Sequence, residues 1–563
     1  MSILGKKWVI KNTKSNQTLL EKLLENRGLR EHRSINNFLN PSIKNLYNPF
    51  LLGDMAHAVE RIKKAIEANE RIIVYGDYDV DGITATAIVF RALKKLAANV
   101  SYRLPHRIED GYGLNEKFIK EFSKLDVKLV ITVDCGISCA KEISLAASLG
   151  IDVIVTDHHT IPQNPPDAFA IIHPKYKNSL YPFSYLTGAG IALKLAQALF
   201  KEDAKEFIDL AALGTIADVA PLIDENRLIV KEGLSMLKNP KWQGLKYLKQ
   251  YAGILPNEEL STYAIEFRLA PRINAAGRIS HPYYALKLLL EDDSIKNGMT
   301  LAKNLDDFNS RRQRITEKAF EEAEEMFAHK HLAKILIASS PHWHTGIIGL
   351  IAGKLSDKYR LPAVIMNETG DNFVGSCRSP EYFNIIDAIT NTSRLLDHFG
   401  GHAAAAGFTL KKKNLEKFIS SLNSYAKKIK VSTTAPLLEI DAQLAQNDLT
   451  FDTLDLVRQF EPFGTGNPEP IFLLKNITVQ NIKTVGKNRD HLKFEIAPPS
   501  PSHIETLPPS PSPPSRIEAI GFHMGEFAPK LSRAKKINAV FTLQKNTFNN
   551  KTTLQMNVID FSI

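Results

Sequence analysis

The stretch DYDVDG, Asp77 to Gly82, places acids at alternate positions ahead of a glycine, as the opening of an EF-hand calcium loop does. An EF-hand needs a bidentate Glu at the twelfth loop position, and counted from Asp77 that position is Ile88. A helix should precede the loop, yet RIIVYG precedes this one, a short β-branched apolar run that reads as a buried strand. The calcium loop is therefore excluded. Further acids follow: Asp134 in VDCG, Asp157 with His158 and His159 in TDHH, and Asp218 after FIDLAALGTIA. Asp77, Asp79, Asp134, His158 and Asp218 make a mixed oxygen and nitrogen donor set, suited to Mn²⁺ or Mg²⁺ and lacking the thiolates of structural zinc. Acids crowded on one rim repel one another, and divalent cations offset that repulsion. Two ions at ~3.5–4 Å spacing can activate a water and stabilise the leaving oxygen of a phosphate ester, so phosphoester hydrolysis is the implied chemistry. Any one of these acids alone would read as a cap or a turn, and His158 alone as a structural histidine. Their joint occurrence carries the argument.

The elements that must position them follow from hydrophobic patterning. RIIVYG, KLVITV and IDVIVT are apolar runs that each end in an acid, separated by segments of helical periodicity such as ITATAIVFRALKKLAA. Strands alternating with helices imply a parallel sheet, whose ligands gather outside the carboxyl ends of the strands. Residues 293–331 read as a long, charge-laced connecting helix. A second α/β unit is expected over 332–430, and short strands over 436–563 suggest a small β-barrel. Within the barrel, 498–515 is too rich in Pro and Ser to pack and reads as a disordered surface insertion. Residues 1–292 are assigned to an N-terminal segment and the first α/β core. The fold class is α/β: two α/β domains joined by a long helix, plus a C-terminal OB-like β-barrel.

A chain of 563 residues exceeds the size of one core, which implies two to four domains. A net charge of +10 favours a polyanionic partner, weakly for so long a chain. Only three cysteines, with no CxxC pair, argue for a reducing compartment and against a disulfide framework. MSILGKKWVIKNTKSNQ lacks the apolar core of a signal peptide, and no later run has the length of a membrane span. A cytoplasmic, soluble protein with no membrane partner is expected. No coiled coil stands out, so a monomer is the default.

GDYDVDG, VDCG, TDHH and GTIADVAPL resemble, in order, the four motifs of the DHH phosphoesterase family. With RINAAGR, GSCRS and FGGHAAAAG following, the chain is similar to the branch of that family that degrades single-stranded DNA, from ENRGLREHRSINNFLNP through FGTGNPEPIF. The resemblance implies two divalent cations, Mn²⁺ or Mg²⁺. Asp77 and Asp134 would hold one; Asp79, a bridging Asp134, His158 and Asp218 would hold the other, and His159 would contact the scissile phosphate. Many family members carry a histidine two residues before the first acid, where this chain has Tyr75. A phenol is a poor ligand at neutral pH, so weaker metal binding rather than lost activity is expected.

The resemblance also implies substrate-phosphate contacts from Arg107 and from the motifs that carry Arg272, Asn274, Arg278, Ser376, Arg378 and Ser379. These are expected in small-residue loops, where guanidinium forks reach phosphate oxygens. The bland alternative for each arginine is an ion pair. Gly400, Gly401 and His402 would let the backbone approach nucleic acid, or form a tight turn at a helix start. His342 and His344 are read as structural. In the barrel, Lys483, Lys487, Arg489, Lys493, Lys535 and Lys536 lie among strands with Phe494 and Phe541. An OB-fold uses such basic grooves and aromatic platforms for single strands, although exposed strand lysines also serve solubility and edge protection.

The function so implied is 5′ to 3′ hydrolysis of single-stranded DNA to 5′-mononucleotides, in DNA repair and recombination. The alternatives are a phosphodiesterase for short oligoribonucleotides or cyclic dinucleotides and a non-catalytic single-strand-binding relative. A helicase or a single-strand-binding protein is left as an open partner.

Overall fold

The computed structural model describes residues 2–200, 203–256, 258–292, 294–328, 334–429, 435–497, 517–534, 536–548 and 551–563. The Pro- and Ser-rich stretch 498–515 and Lys535 lie outside the described residues. The chain forms two compact units: residues 46–220 with 228–432, and residues 1–45 with 221–227 and 433–563.

The larger unit holds two sheets. In the first, five parallel strands run in the order Val100–Arg103, Arg71–Gly76, Val127–Val133, Asp152–Thr156, Ala170–Ile172. The central strands are buried along nearly their whole length because helices cover both faces, which is why RIIVYG and VKLVITV read as continuous apolar runs rather than alternating ones. After Arg71–Gly76 the chain first builds a strand on one side and then crosses to the other. That reversal opens a crevice at the carboxyl ends, the usual ligand position in such sheets. Gly76 pairs with Val133, and Val133 with Thr156, so the next residues, Asp77, Asp134 and Asp157, emerge side by side.

The second sheet, in the order Leu396–His402, Ala405–Lys411, Asn372–Arg378, Ala363–Thr369, Leu336–Ser340, is antiparallel except for its last pair. The 34-residue helix Ile295–Ala328 is about 50 Å long at 1.5 Å per residue. Three local expectations are corrected here. RINAAGR is not a loop but part of the helix Ala270–Ile279. GSCRS lies in the strand Asn372–Arg378 up to Arg378. GGHAAAAG is the hairpin of Leu396–His402 and Ala405–Lys411 rather than a helix start. In each case the small residues serve close packing. A Cβ on Gly277 would stand 3.0 Å from the Tyr78 carbonyl, so small side chains let this helix lie against the acidic turn.

The smaller unit is built on one seven-stranded sheet around a core that contains Phe472, Phe494, Phe541 and Phe561. Phe494 and Phe541 are fully buried there, so neither can serve as a platform for bases. Phe522 is an exposed aromatic on the loops of this sheet. Residues 1–45 belong to this unit and not to the first α/β core: Lys7–Ile10 pairs in parallel with Leu437–Ile440, and Leu23 and Leu24 enter the barrel core. The segment 221–227 is held the same way, with buried Arg227 donating to the Phe460 carbonyl at 2.9 Å and stacking on Phe38 at 3.9 Å. Such pairings join residues hundreds of positions apart, which local patterning does not record.

Candidate metal centre

The acid rim is shaped by backbone that only close packing sustains. Asp134 adopts φ +62, a left-handed conformation that costs a non-glycine residue free energy and concentrates at functional sites. Gly188 must lack a side chain, because a Cβ there would stand 2.5 Å from the Asp134 Cβ. Asp79 caps the helix Val80–Lys95, accepting from the Gly82 amide at 3.1 Å, and Asp218 closes the helix Ile208–Ala217.

The carboxylates gathered here are poorly satisfied. Asp77 Oδ1 and Asp134 Oδ1 are buried and accept no hydrogen bond. Burial, and then neighbouring acids, push both carboxyls well above the ordinary carboxylate range; Asp79 acts on Asp77, while Asp81, Asp79 and Asp77 act on Asp134. Desolvation and then Asp81 and Asp79 raise Asp218 to about 8. His158 moves the opposite way, down to about 3, because burial and then the neighbouring His159 oppose a charge on it. A neutral imidazole is the metal-ligating form, and His158 Nε2 stands 3.0 Å from Asp134 Oδ1. Orphaned carboxylate oxygens beside a neutral imidazole fit a divalent cation: Asp77, Asp79 and Asp134 present ligand atoms within 4.8 Å of one another, as do Asp81, His158 and Asp218. Asp79 thus groups with Asp77 and Asp134, while the sequence expectation set it with a bridging Asp134, His158 and Asp218.

Asp81 is the acid that sequence reasoning passed over. It accepts from the Gly188 and Ala189 amides at 2.7 and 2.9 Å, anchoring the start of the helix Gly188–Phe200 beside Asp134. Burial and then Asp79 raise it to about 6. The signal was present as the third acid of DYDVDG.

Asp157 has a different role from its neighbours on the rim. It accepts from the amides of Ile137, His158 and His159 and pairs with His159 Nδ1 at 2.8 Å. Burial opposes both charges, but this pairing prevails: His159 rises to about 9 and Asp157 falls below the usual carboxylate range. Tyr112, another residue not singled out beforehand, places its hydroxyl 3.1 Å from His159 Nδ1 and 3.3 Å from the Asp134 carbonyl. Tyr75 is fully buried and donates its hydroxyl to the Gly113 carbonyl at 2.8 Å; burial, then nearby thiols and acids, raise its phenol further.

The phosphate-contact candidates divide into two groups. Arg107 stacks on Tyr78 at 4.6 Å, beside the rim. Arg278 is depressed to about 9 by burial and then by Arg107, Arg312 and Arg378. Burial likewise lowers Arg378, against an opposing effect of Cys377 and with a lesser push from Arg107, and its guanidinium reaches Ser376 Oγ at 3.5 Å. Among the described residues, no carboxylate forms an ion pair with Arg107, Arg278 or Arg378. Arg272 is otherwise engaged: it pairs with Asp306 at 2.9 Å and donates to the Arg268 carbonyl at 2.6 Å. Ser379 donates to the carbonyls of Phe383 and Ala403, Asn274 is half-buried on the Ala270–Ile279 helix, and Gly400, Gly401 and His402 lie on the exposed hairpin. His344 accepts from the Gly346 amide at 3.1 Å.

Three family models match this chain: the DHH family N-terminal domain over residues 71–215, the DHHA1 domain over 332–428 and the RecJ OB domain over 440–560. The single-stranded-DNA-specific exonuclease RecJ of Bacillus subtilis is 36% identical over 549 residues, covering 97% of this chain and 68% of its own length. RecJ of Salmonella typhimurium is 30% identical, covering 96% and 95%. The crystal structure of Thermus thermophilus RecJ with Mn²⁺ aligns at a TM-score of 0.81 and 27% identity, covering 99% of this chain and 79% of that one. The same relative has also been solved with Mg²⁺. With this DHH core, its acid rim and the OB-domain sheet, the chain belongs to the RecJ family of single-stranded-DNA-specific exonucleases.

Proposed function

We propose that this protein hydrolyses single-stranded DNA from its 5′ end and releases 5′-mononucleotides. The observation that carries this reading is the pair of buried carboxylate oxygens without hydrogen-bond donors, Asp77 Oδ1 and Asp134 Oδ1, beside a neutral His158 at the switch point of a parallel sheet. Asp77, Asp79, Asp134, His158 and Asp218 would hold two divalent cations, with Asp81 beside them; bound there, the ions supply an activated water and charge stabilisation for the leaving oxygen. His159, kept protonated by Asp157, offers its remaining N–H to the scissile phosphate. Arg107, Arg278 and Arg378, with Ser376, form an anion pocket suited to a phosphate of the terminal nucleotide, and the strand passes between the two α/β domains.

Exposed Lys483, Lys487, Arg489 and Lys536 add contacts to phosphates that do not depend on sequence. Lys493 contributes less, since it pairs with Glu518 at 3.0 Å. Arg272 and Ser379 act as braces for this pocket and not as direct contacts. A helicase or single-strand-binding protein that presents a 5′ end is the partner this activity calls for. The three cysteines, all free and buried, suit the reducing cytoplasm.

The test is incubation with Mn²⁺ and single-stranded DNA labelled at either end, beside a matched duplex and a short RNA. Early release of 5′-labelled mononucleotide from the single strand alone is expected. Cleavage confined to the short RNA, or binding with no cleavage, overturns the reading.

A further inference from the structure

We propose a second metal site in the smaller unit, formed by Asp490, His491 and His523, that takes a borderline transition ion of the Zn²⁺ class. It is independent of the exonuclease reading. Two loops build it: the turn Gly486–Asp490, between the strands Val479–Val485 and His491–Ile496, and the turn after the strand Ile517–Gly521. The loops are bound together, with the Gly525 amide donating to the Asp490 carbonyl at 2.9 Å. Neither tolerates bulk. A Cβ on Gly525 would meet the Arg489 carbonyl at 2.6 Å, and one on Gly486 would stand 3.1 Å from Asp490 Oδ1. The edge of Phe522 packs on the His491 ring, with centroids 5.2 Å apart, and sets its orientation.

Asp490 Oδ1 is 3.4 Å from His491 Nδ1, and Asp490 Oδ2 is 3.4 Å from His523 Nδ1. The three residues present ligand atoms within 4.8 Å of one another. Donors on a tetrahedral ion with bonds of about 2.0–2.1 Å stand about 3.3 Å apart, close to the separation of each imidazole from its nearer Asp490 oxygen. The His523 amide also donates to His491 Nδ1 at 3.2 Å, which ties the second loop to the His491 ring. A cluster of ion pairs is the competing explanation, and zinc retention that depends on His523 and Asp490 separates the two. Two imidazoles and one carboxylate select Zn²⁺, Ni²⁺ or Cu²⁺ over Mg²⁺, the reverse of the acid-rich rim. The open face of His523 leaves room for water to complete the coordination.

The experiment uses the full chain carrying Asp134→Asn and His158→Ala, which weakens zinc capture at the acid rim. It is dialysed against Zn²⁺ in excess Mg²⁺, and bound zinc is measured with and without the added His523→Ala. His523 is exposed, so its truncation does not threaten folding; Asp490→Asn provides a second, shape-preserving variant. About one equivalent of zinc is expected in the background protein and its loss in both added variants. Zinc should also slow amide exchange at 486–490 and 521–525. Zinc content unchanged by His523→Ala and Asp490→Asn, or no zinc retained with the three residues intact, overturns the proposal.

Discussion

The larger unit contains two clusters of like charge, and they are frustrated with opposite signs. At the acid rim, Asp77, Asp79, Asp81, Asp134 and Asp218 crowd together, and burial drives Asp77 and Asp134 toward the protonated form. Nearby, burial and then neighbouring guanidiniums lower Arg278 to about 9, and burial above all lowers Arg378. Arg272, by contrast, is paired with Asp306, and the rim's Asp157 with His159. The difference separates structural charges from charges that await something. A paired charge completes the fold, whereas an unpaired buried cluster costs stability unless an ion of opposite sign arrives. On the function proposed above, the acids would await cations and the arginines phosphate.

The largest expected effect tests the acid half. Asp134→Ala should lower single-turnover nucleotide release on the order of 10³-fold while DNA binding, followed by anisotropy, persists. Retained cleavage removes Asp134 from the centre.

Next is the arginine half. Arg378→Ala should reduce kcat/KM about 10- to 100-fold on DNA with a 5′-phosphate, since a charged hydrogen bond contributes about 1.5–3 kcal/mol, with a smaller loss on DNA ending in a 5′-hydroxyl. Equal losses on both substrates would break the pairing of arginines with phosphate. Arg272→Ala should instead lower thermal stability and leave that ratio unchanged, because its partner is Asp306.

A third, smaller effect concerns pH. Carboxyls whose folded pKa lies above the unfolded value stabilise the protein when protonated, and this contribution is lost as pH rises through the folded pKa. With Asp81 near 6 and Asp218 near 8, against an ordinary 3.8, metal-free protein should lose stability between about pH 4 and pH 8. Mn²⁺ should raise the melting temperature more at pH 8 than at pH 5; an equal rise at both would show that repulsion among the acids is not what the ion offsets. The smallest effect is expected from Tyr75→His, a modest fall in the Mn²⁺ concentration giving half-maximal activity. Coincident titrations of variant and wild type would mean that Tyr75, tied to Gly113, has no bearing on the ions.

Much of the metal centre was legible because its signals are local. Each acid follows its own strand or helix, and a buried parallel strand announces itself as an apolar run. The register that aligns Asp77 with Asp134 follows from parallel pairing of similar strands. The arginine pocket was half legible: the motifs supplied the guanidiniums, but not which of them the fold had already paired.

By itself, then, the sequence determined the donor types, their order along the chain and the sheet edge on which they collect, because those depend on short-range periodicity and side-chain chemistry. Tertiary structure alone decided that Asp81 joins the rim through the amides of Gly188 and Ala189, and that Arg272 and Ser379 are engaged elsewhere. It also decided that Phe494 and Phe541 fill a core, and that residues 1–45 complete the C-terminal sheet. Each of these depends on contacts between residues far apart in the chain, whose free energy appears only when the packed partner is in place.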